Sequence, residues 1–400
     1  MRDLVRRSRR DVGASAGDVP RSGSTPDRAS SGPACGPLYP LAILILARDE
    51  SDVLGETLTR ARSSAAGCDE IHVVADHCRD RTAAVAREHG AIVHVRSGQK
   101  TLGKGAALRW WLERTGHDPR RPPGVVVLDA DTLVEAGALG ALRRRLCAGA
   151  SAVQAQVRPL LRSGTAVGRI AGLSETVEQG IYDVVRSRLG WPVRLRGTGM
   201  AFQRGVLEKV APHLQTSAED VELTVRLASL GFQIEHAREA AVLDPKPLDE
   251  NGATRQRARW LHGLLEVASC CRRPILGVVA RGPSGWSLLS SVLLKPRSLY
   301  FPLKICLAAL LWLVQAGGAP LWRILAWAFT ASSAIEALGW LIGLRFTPER
   351  SDTLRALLHT PRYAAMWLRS VSLLRIAGHR WLRARPAPAD SIKGEAAGAE

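Results

Sequence analysis

From Leu41 onward, short continuous apolar runs alternate with longer stretches whose apolar positions recur at helical spacing. The runs Leu41–Leu46, Ile71–Ala75, Ile92–Val95 and Val125–Leu128 predict buried strands. The stretches Val53–Ser64, Thr82–His89 and Lys104–Arg114 predict helices between them, and a further helix is expected around Val134–Cys147. Continuous apolar strands interleaved with helices predict an α/β fold built on a mostly parallel sheet with helices on both faces. In such a sheet ligands sit beyond the carboxyl ends of the strands. The polar residues just after each run are therefore the first candidates for chemistry.

After Arg272 the pattern changes. Residues 273–302 read as an interfacial linker. Two long apolar stretches follow, Ile305–Trp322 and Ile324–Leu344, with Gly317-Gly318-Ala319-Pro320 as the turn signal. Each approaches the roughly 20 residues that cross a bilayer, so residues 303–345 predict a transmembrane helical hairpin. Lys295, Arg297 and Lys304 flank one end and Arg345, Arg350 and Arg355 the other, which places both flanks on the cytoplasmic side of the plasma membrane. Glu336 falls mid-span and must be protonated, paired or turned to a cavity. Residues 346–385 interleave Leu354, Leu357, Leu358, Met366, Trp367, Leu374 and Trp381 with arginines, which predicts a basic amphipathic helix against anionic lipid. Residues 1–38 and 386–400 lack the apolar content to fold and are expected to be disordered, the first of them basic and without a signal-peptide run.

Charge sharpens the choice of partner. The 400-residue chain carries a formal net charge of +18, which favours phosphate ligands or anionic lipid. Nucleic acid is not expected, because the arginines are spread over termini and membrane flanks and no recognition module is visible. Seven scattered cysteines without a C-x-x-C pair argue against a zinc site or a disulfide framework, and reduced thiols are expected.

The sharpest local signal is Asp129-Ala130-Asp131, directly after the fourth run. Residues two apart in an extended segment point the same way, so both carboxylates can hold a hard divalent cation that binds phosphate oxygens. Capping of the next helix is the plain structural alternative for Asp131. Asp49-Glu50 and Asp76 end the first two strands and can reach a base or ribose, while Asp80 is placed to cap a helix. Gly103-Lys104-Gly105 opens a helix and offers a cation for a diphosphate. Gly197-Thr198-Gly199 allows close approach to the backbone, or simply a tight turn. Glu219-Asp220 starts a helix, as caps or with Asp220 as a general base. In Gln256-Arg257-Ala258-Arg259-Trp260, the arginines can grip a pyrophosphate and Trp260 can stack on a sugar.

In order and spacing, Asp76, Asp129-Ala130-Asp131, Glu219-Asp220 and Gln256-Arg257-Ala258-Arg259-Trp260 resemble the D, D-x-D, E-D, Q-x-x-R-W series of family-2 glycosyltransferases related to cellulose and hyaluronan synthases. The resemblance covers about Leu41–Leu265, within an expected catalytic domain over 39–272. It implies a GT-A fold, a nucleotide-diphosphate sugar donor and Mg²⁺ or Mn²⁺ as cofactor. By the same resemblance, Asp49, Glu50 and Asp76 line the nucleotide pocket, Lys104 and Asp129 hold the diphosphate, and Asp129 and Asp131 hold the metal. Asp220 is the base of an inverting transfer, flanked by Glu219 and Gly197. Gln256, Arg257 and Arg259 steady the leaving diphosphate and Trp260 sits near the acceptor. The sequence departs from the series in Ala47-Arg48-Asp49-Glu50, without the usual Asn, and in Arg196-Gly197-Thr198-Gly199, without a Cys. Two spans are too few for a polymer channel, so the expected acceptor is lipid-linked, a glycolipid, or another saccharide at the membrane. A sugar-phosphate nucleotidylyltransferase is disfavoured because Arg48-Asp49-Glu50-Ser51 stands where its Gly-rich loop belongs. An inactive membrane-bound nucleotide-binding scaffold is disfavoured by the retained acids.

Overall fold

The computed structural model describes residues 39–98, 103–115, 120–161, 165–246, 250–293, 297–314, 320–347 and 349–374. The expected tails at 1–38 and 386–400 lie outside these residues, as do Gly317, Gly318 and Ala319 of the expected turn.

Strand β1 (Leu41–Ala47) is apolar at every position and buried along its whole length. Its side chains alternate between two cores: Leu41, Ile43, Ile45 and Ala47 enter one, Ala42, Leu44 and Leu46 the other. That two-sided burial is what a central strand requires. β2 (Glu70–Asp76) and β4 (Gly124–Asp129) pair with it in parallel on either side, and β3 (Ile92–Arg96) pairs in parallel with β2. Helices α1 (Leu54–Ser64), α2 (Thr82–Glu88) and α4 (Ala138–Cys147) cover the first core. Helices α3 (Lys104–Thr115), α7 (Arg204–Val210) and α8 (Glu219–Ser229) cover the second. Each fully buried leucine in these layers contributes about 1.5–3 kcal/mol over an exposed one.

The sheet is mixed: four of its seven strand pairings are parallel, in keeping with the expected mostly parallel sheet, and three short ones are antiparallel. Eight strands run in the order β3-β2-β1-β4-β7-β6-β8-β5. β7 (Met200–Gln203) lies antiparallel to both β4 and β6 (Ala152–Leu160). β8 (Ile234–Pro245) runs parallel to β6, with a register shift at Ala155/Gln156, and antiparallel to the two-residue β5 (Leu133–Val134). The expected helix from Val134 starts four residues later, at Ala138, because β5 claims Leu133 and Val134 for the sheet edge.

Helix α5 (Ala166–Val177) passes through a π-helical turn, Glu178–Asp183, into α6 (Val184–Arg188). Helix α9 (Glu250–Cys270) is followed by α10 (Arg272–Val279), α11 (Pro283–Leu293), α12 (Arg297–Val314) and α13 (Pro320–Arg345). Among the described residues, α13 is the one helix long and apolar enough to cross a membrane. The apolar part of α12, Leu303–Val314, rises only about 18 Å, short of a bilayer core of about 30 Å. Within the described residues α12 runs to Val314 and α13 starts at Pro320, so Trp322 of the expected first stretch belongs to α13. The two helices pack antiparallel. Trp312 Nε1 donates to Thr330 Oγ1 at 3.0 Å, and the Trp312 and Trp327 rings meet edge to face at 5.1 Å. Glu336 is paired, as a mid-span acid requires, with Lys304 of α12.

The segment expected as one amphipathic helix is two, α14 (Arg350–Leu357) and α15 (Thr360–Ser372). Ala356, Tyr363, Met366 and Trp367 are buried against Val167, Ile170 and Ala253. This apolar face is thus turned to α5 and α9, while Leu354, Leu358, Leu368 and Val371 stay exposed. Cys147 stands in a disulfide, contrary to the expectation of reduced thiols throughout; Cys68, Cys78, Cys270, Cys271 and Cys306 are free.

Candidate active site

The carboxyl ends of β1, β2 and β4 carry Asp49, Asp76 and Asp129, on one edge of the parallel half of the sheet. Lys104, the first residue of α3, reaches across so that its Nζ lies 2.5 Å from Asp129 Oδ1. Gly105 allows this approach: a Cβ there would stand 3.2 Å from Glu219 Cβ. The start of α3 and the start of α8 therefore meet over Asp129.

The backbone of Asp129 is held from the opposite side. Its N–H donates to Thr198 Oγ1 at 3.1 Å, Thr198 Oγ1 pairs with Thr132 Oγ1 at 2.7 Å, and Gln154 Nε2 donates to Thr198 O at 2.9 Å. Gly197 and Gly199 bracket this threonine with φ of 83° and 63°, in the left-handed region that favours glycine. Gly197 lies beside Glu219, 3.9 Å from its Oε1 to the position of an added Cβ. The glycine motif thus builds the floor under the D-x-D acids. Thr198 and Gln154 were not singled out from sequence, and a Thr between two glycines was the one available signal.

Electrostatics ties the group together. Burial raises the Asp129 carboxyl, the Lys104 ammonium opposes that, and Asp244 and Asp220 add to it. Glu219 is pushed up to about 8, first by burial and then by Asp220 and Asp129, against Lys104. Burial also raises Asp220, opposed chiefly by Arg194. Lys104 remains firmly charged: burial works against it, but Asp129, Glu219 and Asp131 prevail. Asp244, at the end of β8, is raised by burial and by Asp131 while Lys246 opposes. Asp244 was missed by sequence reasoning because it ends a strand that was not foreseen. Asp244 acts electrostatically on Asp129, and Asp131 on Asp244, and carboxylates are the donors that a hard divalent cation takes; among the described residues, however, only Asp49, Cys78 and Asp80 bring three ligand atoms within 4.8 Å of one another. Asp131 does not cap α4, whose first turn begins after Gly137 without a side-chain cap.

From α9, Arg259 completes the cluster. Burial lowers its pKa, and the charges that counter this are Asp129, Glu219 and Glu50. Gly263 brings α9 close, since a Cβ there would lie 2.6 Å from Ala218 Cβ, just before Glu219. Gln256 is half-buried on the same helix and Trp260 is 47 % exposed. Arg257 points elsewhere: its Nη2 donates to Tyr363 Oη at 3.2 Å and its guanidinium lies over the Tyr363 and Trp367 rings at 5.0 and 5.2 Å. It fastens α9 to α15 instead of joining the acids.

Asp76 is buried, with Arg96 Nη1 at 2.5 Å and His77 Nδ1 at 2.7 Å from its Oδ1. Asp49 adopts φ of 53° and accepts from Arg79 N at 2.6 Å. Asp49, Cys78 and Asp80 come close enough to hold an ion. However, Asp80 already accepts from Ser51 N and Thr82 N, so this trio orders the loop after β2; the N-cap position of α2 itself is Arg81, without a side-chain cap bond, and not the expected Asp80. Glu50 anchors the start of α1, its carbonyl accepting from Leu54 N at 3.1 Å.

Comparison with known proteins agrees with this geometry. Residues 37–263 match the family model described as glycosyltransferase like family 2. A probable glycosyltransferase of Bacillus subtilis (strain 168), YdaM, is 27% identical over 234 residues, covering 56% of this chain and 54% of the relative. The chain thus spans about half the length of that curated relative. Among solved structures, the mannosyltransferase PcManGT from Pyrobaculum calidifontis, in complex with GDP-Man and Mn²⁺, superposes with a TM-score of 0.50. It is 18% identical, and the match covers 85% of this chain and 88% of that one, a likeness of fold. With its GT-A-like sheet and more than half its length matched, the chain belongs to glycosyltransferase family 2.

Proposed function

We propose that the protein is an inverting glycosyltransferase that moves a sugar from a nucleotide-diphosphate donor to a membrane-associated acceptor, lipid-linked, a glycolipid or a growing polysaccharide. The observation that carries this is the meeting of Lys104, Asp129, Glu219 and Arg259 at the carboxyl edge of the sheet, on four separate elements. Glu50, Asp49 and Asp76 border the nucleotide. Lys104 and Arg259 neutralise the diphosphate as it leaves, with Gln256 beside them. Asp129 and Asp131, with Asp244 adjacent, would hold Mg²⁺ or Mn²⁺, which when bound supplies positive charge to the departing diphosphate. Asp220 acts as base. An acceptor oxygen bonds to the sugar C1, its proton passes to Asp220, and the C1–O bond to the diphosphate breaks with its electron pair. The raised Asp220 carboxyl suits that role, because a stronger base takes a proton more readily at neutral pH. Glu219, pushed up to about 8, stays neutral beside it and spares the site a further negative charge.

The membrane placement rests on α13 together with α12. Leu321, Ile324, Trp327, Ile335, Leu338 and Leu341 of α13, and Leu303, Leu310 and Leu313 of α12, form an exposed apolar surface too extensive for a water-facing one. We place both helices in the plasma membrane with the catalytic domain on the cytoplasmic side, where the basic flanks meet anionic lipid. The test is turnover of UDP-, GDP- and dTDP-sugars by the full chain in detergent with Mn²⁺. Asp131→Ala and Asp220→Asn should each lower turnover by about 100-fold or more. Turnover equal to the parent in both variants would reject these roles.

A further inference from the structure

Among the described residues, one buried arginine makes no hydrogen bond or ion pair at contact distance, and its Nε is buried without an acceptor. Arg194 lies in the irregular segment between α6 and β7. Its neighbours are pinned: Val193 N donates to Ile234 O at 3.0 Å, and Leu195 N to Thr224 Oγ1 at 2.9 Å. Val193 and Leu195 are buried in the core beneath α3, α7 and α8. Arg194 and Arg196 stand instead among carboxylates, those of Glu175, Glu178 and Asp183. Both terminal nitrogens of Arg196 are engaged there, with Glu175 at 3.1 Å and with Asp183, while its Nε is buried without an acceptor. Lys246 takes the other Glu175 oxygen at 3.0 Å, and Arg186 takes the other Asp183 oxygen at 2.9 Å. Arg194 is only 9 % exposed, yet among the described residues its guanidinium meets no hydrogen-bond acceptor and no carboxylate at ion-pair distance. Leaving such donors unspent in a buried place is costly.

Its position gives those donors a use. Thr224 Oγ1, which accepts from Leu195 N, donates to Asp220 O at 2.7 Å, so the segment that carries Arg194 lies against the first turn of α8, where the base stands and an acceptor has to lie; Arg194 is also the foremost charge acting on Asp220. The helix that carries Glu175, Glu178 and Asp183 also packs on α13: Gly343 sits against Val177, and Gly339 faces Tyr182. Hence the unspent guanidinium and the membrane-crossing candidate flank one helix, about 10–12 Å in diameter.

Resting on the glycosyl-transfer reading above, we propose that Arg194 is the anion anchor of the acceptor subsite and that the acceptor presents a phosphate group to it. The planar fork matches phosphate oxygens in pairs. The phosphate belongs to a lipid headgroup or to a free phosphorylated molecule. With it held, a hydroxyl of the same acceptor meets Asp220, gives up its proton there and bonds to C1 as the nucleoside diphosphate departs.

The experiment is calorimetric binding of decyl phosphate, decanol and inorganic phosphate to the full chain in neutral detergent, for the parent, Arg194→Gln and Arg194→Lys. Decyl phosphate should bind the parent about ten-fold or more tighter than decanol. Arg194→Gln should abolish that ratio and Arg194→Lys should reduce it several-fold. Inorganic phosphate binding as tightly as decyl phosphate identifies a soluble acceptor; a clear preference for decyl phosphate identifies a lipid. A ratio near one in the parent overturns the proposal, as does an undiminished ratio in Arg194→Gln. If Arg194→Gln fails to fold, shown by loss of nucleoside diphosphate binding, an undiminished ratio in Arg194→Lys overturns it equally. An Arg194-dependent ratio in a protein that turns over no nucleotide-sugar would reject the glycosyl-transfer reading and leave the anion site standing.

Discussion

Gly199→Ala tests whether the glycine motif holds the D-x-D acids in place. Gly199 has φ of 63°, and an alanine Cβ would come 2.9 Å from Ala155 Cβ and 3.0 Å from Val242 Cγ2. Left-handed backbone costs a residue with a side chain about 1–2 kcal/mol. The clash adds about 1–3 kcal/mol, because the atoms met are a strand Cβ and a short branched side chain in a packed sheet. The expected loss is about 2–5 kcal/mol, a large share of a typical 5–15 kcal/mol, and at about 2–4 °C per kcal/mol it lowers Tm by roughly 4–20 °C. Two controls separate the contributions. Gly137→Ala, at φ of 78° with nothing within 4 Å, suffers the backbone cost alone. Gly197→Ala, at φ of 83° and 3.9 Å from Glu219 Oε1, does so within the cleft. Thermal unfolding followed by circular dichroism gives the three Tm values, and nucleotide-sugar turnover below Tm reports whether Thr198 still supports Asp129. If Gly199→Ala loses no more stability than Gly137→Ala, the account of close packing behind the motif is wrong.

Three more outcomes are expected. Glu219, raised to about 8 from 4.5, keeps its proton in the native protein while the unfolded chain loses it, so its contribution to stability declines as pH rises from about 4.5 to 8. With chelator present, Glu219→Gln should therefore gain in Tm over the parent at about pH 8 and not at about pH 4.5; a pH-independent difference would show that the carboxyl is not raised. Arg257→Ala should lower stability by about 1–3 kcal/mol through lost stacking on Tyr363 and Trp367, whereas Arg259→Ala should mainly weaken nucleoside diphosphate binding; denaturant titration and calorimetry that return the reverse pattern would exchange their roles. Glu336→Ala should cost about 1–3 kcal/mol, below the value for a fully buried pair because Lys304 is 23% exposed, and adding Lys304→Met should recover most of it, an outcome excluded if the double variant unfolds in detergent as readily as the single one.

The first four strands were legible because each is a local apolar run bounded by polar residues; burial on both faces demands that pattern in β1, β2 and β4, whereas β3, expected to be buried, is an edge strand with Ile92 and Val95 exposed. β5 and β7 were not, since two and four residues are too few to show a period. Their pairings bring together residues far apart in sequence, Leu133 with Leu243 and Val127 with Met200, and these add the antiparallel members to the mostly parallel sheet. The acids of the cleft were readable wherever they closed a recognisable strand or opened a helix. Asp244 and Arg194 fell outside both cases. Arg257 and Arg259 looked equivalent in the string, but two residues along a helix turn about 200° around its axis. One therefore faces the cleft and the other faces α15.

The seat of Gly343 on Val177 has a consequence for which molecules the enzyme can reach. At that position an added Cβ would lie 2.4 Å from Val177 Cγ2, so α13 is clasped to α5 with no room for a spacer. A catalytic head on a loose leash samples a range of heights, and its substrates are sorted by concentration. With α13 in a membrane, as proposed above, span and cleft would travel as one piece, and the depth at which an acceptor must offer its reacting atom would be set by the architecture, like the gap of a caliper.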